Sequence, residues 1–156
     1  MNLNVDNILI IGLGMIGSSI ALASKSKGIK VYGFDKSNDC TNEALEKNII
    51  DSKLESILDI NSKDFAKKVD LIIVAVPPKQ TLDVLNDLKD IWNTDVTITD
   101  TSSVKNHIKL NDVSNIILSH PIAGSDQSGI SAANGDLFKN KKNVLCDPFN
   151  LSLIHI

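Results

Sequence analysis

The sequence predicts an α/β fold: a doubly wound, mostly parallel sheet with helices on both faces. Three observations carry this. Short apolar runs alternate along the chain with segments of helical spacing. A glycine-rich turn joins the first run to the first helical segment. The stretch "VDLIIVAVPP" holds six consecutive apolar residues, Leu71 to Val76, which suits a strand covered on both faces. Strands alternating with helices in this way are joined by right-handed crossovers, and ligands bind beyond their carboxyl ends.

Taken in order, "NILIIGLGMIGSSIALASKSKG" reads as a buried strand at Ile8 to Ile11, a glycine turn, and a helix from about Met15 to Lys27 that ends near Gly28. "IKVYGFD" is the second strand. A helical segment around Thr41 to Lys47 and a polar linker lead to the Leu71 strand, which Pro77 and Pro78 end. Leu82, Leu85 and Leu88 give helical spacing to Thr81 through Ile91. A strand "VTIT", a short helix after "DTSSVK", and a strand "NIILS" that delivers His120 complete the alternation. Gly12, Asp35, Pro77, Thr101 and His120 all fall at carboxyl ends of strands.

Composition excludes several function classes. A chain of 156 residues with 42% hydrophobic content suits one domain with a sizeable core. A formal net charge of -3 without a lysine stripe argues against a nucleic-acid surface, because phosphate contacts need clustered positive charge. All 16 basic residues are lysines, so the planar fork that grips carboxylates is missing. Cys40 and Cys146 form no CxxC pair and have no histidine cluster beside them, which indicates neither a disulfide framework nor a metal site and fits a reducing cytoplasm. The uncharged stretch from Asn7 to Ser24 is punctured by three glycines and lacks a basic start, so it reads as neither signal peptide nor membrane span.

"GLGMIG" matches GxGxxG in the right context, between a predicted strand and a predicted helix. Gly12 would make the tight turn, Gly14 would let a pyrophosphate approach the backbone, and Gly17 would permit close packing of helix on strand, as in a Rossmann-type fold. The free amides of Met15 and Ile16 would face the phosphates with the positive end of the helix dipole behind them. Asp35 ends the second strand 18 positions after Gly17, where a carboxylate accepts hydrogen bonds from the adenosine ribose hydroxyls. A 2'-phosphate there would meet that negative charge with only Lys36 to offset it, so the cofactor expected is NAD rather than NADP.

A dinucleotide fold does not name a reaction. In "TDTSSVKN", Ser102 or Ser103 is most simply a helix N-cap. In "LSHPIAGSDQSG", His120 alone is most simply a strand-end residue. Adjacent strand ends, however, bring a hydroxyl and an imidazole close together, and histidine can take a proton near neutral pH, as oxidation of a carbinol requires.

Together, "GLGMIGSS", "GFD", "TDTSSVK", and above all "HPIAGSDQSG" followed by "LFKNKKNVL", resemble the nucleotide-binding domain of the prephenate and arogenate dehydrogenases, from about Asn7 to Cys146. The resemblance implies NAD-dependent oxidative decarboxylation of prephenate or arogenate in tyrosine biosynthesis. It implies that His120 polarises or deprotonates the substrate 4-hydroxyl and that Ser103 hydrogen-bonds the same hydroxyl or His120. Val76 and Pro77 would border the cofactor, and Gly124, Ser125 and Asp126 would form a substrate loop. Many members carry glutamate at the position of Asp126. Family members continue into a helical domain that makes the homodimer and supplies a cation for the substrate carboxylates.

The domain is therefore expected to span residues 1 to 150. "LSLIHI", residues 151 to 156, resembles the in-frame translation of a transposase-type sequencing adaptor and is expected to be non-native; the competing reading is a terminal strand. Two other functions stay open at this stage: a dehydrogenase of another hydroxy acid, and a non-catalytic nucleotide-binding module.

Overall fold

The computed structural model describes residues 5–60, 62–105, 108 and 113–146, together with the backbone of 153–155. Strand β1 (Asn7–Ile11) lies at the centre, with β2 (Lys30–Phe34) on one side and β4 (Leu71–Val74) on the other, both parallel to it. The sheet order is β3-β2-β1-β4-β5-β6-β7-β8, with β3 at Ser52–Lys53, β5 at Thr97–Asp100 and β6 at Ile116–Pro121. Pairing is parallel as far as β6. Strand β7 (Asn143–Cys146) then runs antiparallel to β6, and the backbone of β8 (Leu153–His155) runs antiparallel to β7. The order reverses between β1 and β4, which opens a crevice at their carboxyl ends.

Alternation of side chains along β1 divides the core between the two faces. Ile8 and Ile10 pack with Leu13, Ala21, Val31 and Ala44, beneath α1 (Met15–Lys25) and α2 (Asn38–Glu46). Leu9 and Ile11 pack with Ile72, Val74, Leu85 and Ile98 on the other face. That face is covered by α5 (Pro78–Asp87) and by two single-turn helices, α3 (Ile57–Ile60) and α4 (Lys63–Ala66).

Three boundaries differ from the sequence reading, each for a local reason. Helix α2 starts at Asn38 because the Ser37 hydroxyl caps it, accepting from the Cys40 amide at 3.4 Å. Helix α5 starts at Pro78, not Thr81: a proline in the first turn has its φ preset and needs no amide partner. The stretch read as a polar linker contains β3, α3 and α4, each too short to show a periodicity, yet Ile60, Phe65 and Ala66 are buried. The short helix expected after Lys105 falls on residues outside those described.

The crossing of α1 over β1 is the tightest constraint in the fold. A Cβ on Gly17 would lie 1.9 Å from the Gly12 carbonyl oxygen, and Gly12 itself sits at φ +96° with Ala75 O 2.7 Å from where its own Cβ would be. A Gly17→Ala variant is expected to lose about 3 kcal/mol of stability. Gly135→Ala, with no atom nearer than 3.5 Å, serves as the tolerant control. Urea unfolding of the two variants, followed by circular dichroism, checks this.

Candidate active site

The glycine turn brings the end of β1 directly into the start of α1. Gly14 is the N-cap residue and has no side chain to satisfy the first-turn amides, and no acidic residue occupies that turn. Those amides have no acceptor within the helix, so the positive end of α1 is left for an anion. A Cβ on Gly14 would meet nothing within 4 Å, which marks open space in front of the turn. A cavity of about 710 Å³ occupies that space.

Gly12, Gly14, Met15, Ile16, Asp35, Val76 and Pro77 all line this cavity. Gly17 does not; it supports the cavity from behind through its packing on Gly12. Asp35 also has a structural task. Its Oδ2 accepts from the Leu13 amide at 2.8 Å and its Oδ1 from the Ser37 amide at 2.9 Å, so it ties the glycine turn to the end of β2. A carboxylate has about four lone-pair sites, which leaves capacity for the hydroxyls of a ribose.

His120 stands half-buried near the end of β6, on the sheet face shared with Ile116 and Leu118. That is the face of Ile11 and Val74, whose strands end at the cavity. The ring Nδ1 lies 3.3 Å from the Thr101 carbonyl oxygen. A carbonyl can only accept, so in this contact Nδ1 carries the hydrogen; in a neutral ring the lone pair then lies on Nε2. The ring therefore meets the backbone two residues before Ser103, and Ser103 itself is exposed.

The loop after His120 joins the two regions. Gly124, Ser125 and Asp126 are exposed, and the Ser125 hydroxyl donates to Asp126 Oδ1 at 3.1 Å while accepting from the Gln127 amide at 3.1 Å. Gln127, Ser128 and Gly129 then enter the cavity wall. Ile130 is buried against the α1 face of the sheet, and the Asn134 amide donates to the Ser19 hydroxyl of α1 at 2.9 Å.

Sequence reasoning missed the polar cluster beneath His120. The Asp100 carboxylate at the end of β5 has no solvent exposure. It accepts from the Ser102 hydroxyl at 2.6 Å, from the Ser119 amide at 3.2 Å, and from Lys105 Nζ in an ion pair. Burial pushes the Lys105 ammonium below its ordinary value of 10.5, and the Asp100 carboxylate pulls the other way. The available signal was an acid closing a half-apolar strand with a lysine five positions on. Among the described residues, no group of three or more histidines, cysteines and acids is placed to hold a metal, and no helix is long and apolar enough to cross a membrane.

Comparison with known proteins agrees with this architecture. Residues 20–150 match the family described as prephenate dehydrogenase, nucleotide-binding domain. The prephenate dehydrogenase of Lactococcus lactis is 39% identical over 92% of this chain, and that of Bacillus subtilis is 35% identical over 93%. The chain spans 41% and 40% of the length of these two relatives. Among solved structures, the A. aeolicus prephenate dehydrogenase in complex with hydroxyphenyl propionate and NAD+ superposes with a TM-score of 0.81 at 29% identity, covering 94% of this chain and 52% of that one.

The structural role of Asp35 is open to test without any ligand. Asp35→Ala leaves the Leu13 amide, on a residue with no exposure, without its acceptor. The expected loss is about 1–3 kcal/mol of stability. Amide hydrogen exchange should quicken at Leu13 and Ser37 ahead of the rest of the sheet.

Proposed function

The chain belongs to the prephenate dehydrogenase family, as its nucleotide-binding domain, and from that premise we propose that it binds NAD+ and handles the proton in the oxidative decarboxylation of prephenate or arogenate. The observation that carries this reading is the placement, at the carboxyl ends of one sheet, of a dinucleotide-sized cavity and of a histidine whose Nδ1 meets the Thr101 carbonyl. The residues present fit the cofactor. Gly14 leaves room for a pyrophosphate against the first-turn amides of Met15 and Ile16. Asp35 takes the ribose hydroxyls and disfavours a 2'-phosphate, while Val76 and Pro77 form an apolar wall.

NAD+, when bound, accepts the hydride released from the ring carbinol carbon. His120 takes the proton of the 4-hydroxyl at Nε2 as that oxygen becomes a carbonyl, with Nδ1 held by Thr101. Carbon dioxide then leaves the quaternary ring carbon. The electron pair of the broken bond aromatises the ring and collects on the same oxygen, which His120 reprotonates to the phenol. Ser103, exposed beside this edge, hydrogen-bonds the substrate hydroxyl, and Gly124, Ser125 and Asp126 border the substrate.

With no arginine in the chain, the two carboxylates of prephenate have little to hold them on this domain. In a protein of the relatives' length, the reading places the carboxylate-binding cation and the homodimer contact outside residues 1 to 150. Cytoplasmic residence follows from the same biosynthetic role.

The test uses binding first. In a protein of the relatives' length loaded with NAD+, adding 4-hydroxyphenylpropionate should shift the His120 imidazole resonances, and His120→Gln should abolish those signals without weakening NAD+ binding. In a protein of the relatives' length, His120→Ala should cut prephenate-dependent NAD+ reduction by roughly two to four orders of magnitude. Unchanged turnover in that variant would remove the histidine from the mechanism.

A further inference from the structure

The buried polar cluster under His120 is not used by the reading above, and its layout is unusual. Asp100, fully buried, and Lys105, largely buried, form an ion pair in a domain whose other described ion pairs lie nearer the surface. Replacing a buried pair of this kind by apolar side chains is often neutral or stabilising, so stability alone does not account for it. What the pair touches is more informative.

Ser119, the residue before His120, is held at three points. Its carbonyl accepts from Lys105 Nζ at 2.6 Å and its amide donates to Asp100 Oδ1 at 3.2 Å. Its hydroxyl donates to the Asp100 carbonyl at 2.7 Å. The other anchor of the ring, the Thr101 carbonyl, lies between Asp100 and Ser102. Asp100 carries the carboxylate of the pair, and the Ser102 hydroxyl is 3.3 Å from Lys105 Nζ and 2.6 Å from Asp100 Oδ2. Both the backbone that carries the imidazole and the carbonyl that selects its tautomer are thus tied to one ion pair.

We propose that Lys105, through its ion pair with Asp100 and its hydrogen bond to the Ser119 carbonyl, is a positioning residue that fixes the tautomer and aim of the His120 ring. Its ammonium binds Asp100, Ser102 and the Ser119 carbonyl and does not line the cavity, so it acts through the backbone on either side of the ring. The consequence for chemistry rests on the reading of His120 as the proton-handling group; the positioning itself is a property of the folded domain.

The experiment measures the tautomer directly. In the 15N-labelled chain, long-range proton–nitrogen correlations report which ring nitrogen of His120 bears hydrogen, with His120→Gln identifying the signals. Wild type is expected to show Nδ1–H with a bare Nε2. The paired variant Asp100→Asn, Lys105→Met leaves no buried charge uncompensated and should lose that preference, giving the mixed tautomers of a free imidazole. Lys105→Arg keeps Asp100 paired but moves the donor, and should show the same loss to a smaller degree. NAD+ affinity, set at the distant glycine turn, should stay within about twofold in both variants, well under the roughly tenfold that 1.4 kcal/mol represents. An unchanged Nδ1–H population in any variant that folds, or Nε2–H in wild type, overturns the proposal. Failure of wild type to bind NAD+ would count against the cofactor reading alone and leave the tautomer comparison standing.

Discussion

The approach of α1 to the carbonyl of Gly12 is the constraint on which the rest of the site depends. With a side chain at position 17 the helix would have to lift off β1, and its amino terminus would no longer sit at the crevice where the sheet order reverses. With the helix seated, everything else at that end follows from short-range chemistry. The uncapped first turn offers amides to an anion, the missing side chain at Gly14 leaves space before them, and Asp35 locks the turn by accepting from Leu13. The carboxylate ties the loop to the end of β2 and keeps lone pairs beyond those two bonds.

The second half of the site obeys a different logic. Around the glycine turn, backbone packing sets the geometry; around His120, buried charge does. A carboxylate with no exposure cannot stay ionised alone, and Lys105 supplies the compensation with donors left over for Ser119 and Ser102. Because desolvation offsets most of the Coulombic gain, the pair contributes little net stability and much orientation. The loop from Gly124 to Gly129 couples the two halves, since it leaves the histidine strand and ends in the wall of the cavity at the glycine turn.

The sequence made the first half legible and left much of the second unread. Glycines at fixed offsets after a buried strand have one economical structural explanation, and six consecutive apolar residues can hardly be anything but a buried segment. Both readings depend on neighbours close in sequence. The Asp100–Lys105 pair has a local spacing too, but its meaning comes from Ser119 on another strand, and pairing across strands leaves no periodicity to read. The same holds for the contact of His120: the ring meets the Thr101 carbonyl and not a serine hydroxyl, and that choice depends on how two strand ends are staggered. Strand β7 escaped notice because "NVLC" is four residues long and follows a lysine-rich turn, and its antiparallel pairing is set by β6.

Gly14 is where fold and ligand make separable demands, and so it gives the most direct test. As the N-cap of α1 it gains a little from being small, but a side chain would meet nothing within 4 Å; the proposed pyrophosphate, lying on the turn, is what needs the bare backbone. Calorimetric titration of NAD+ into the wild-type chain and into Gly14→Val, alongside thermal melts of both, separates the two. If the account is right, the melts agree to within a few degrees, wild type binds NAD+ and Gly14→Val does not. Equal binding by two equally stable proteins would show that the dinucleotide does not rest on this turn, and the assignment of the cavity would have to be abandoned.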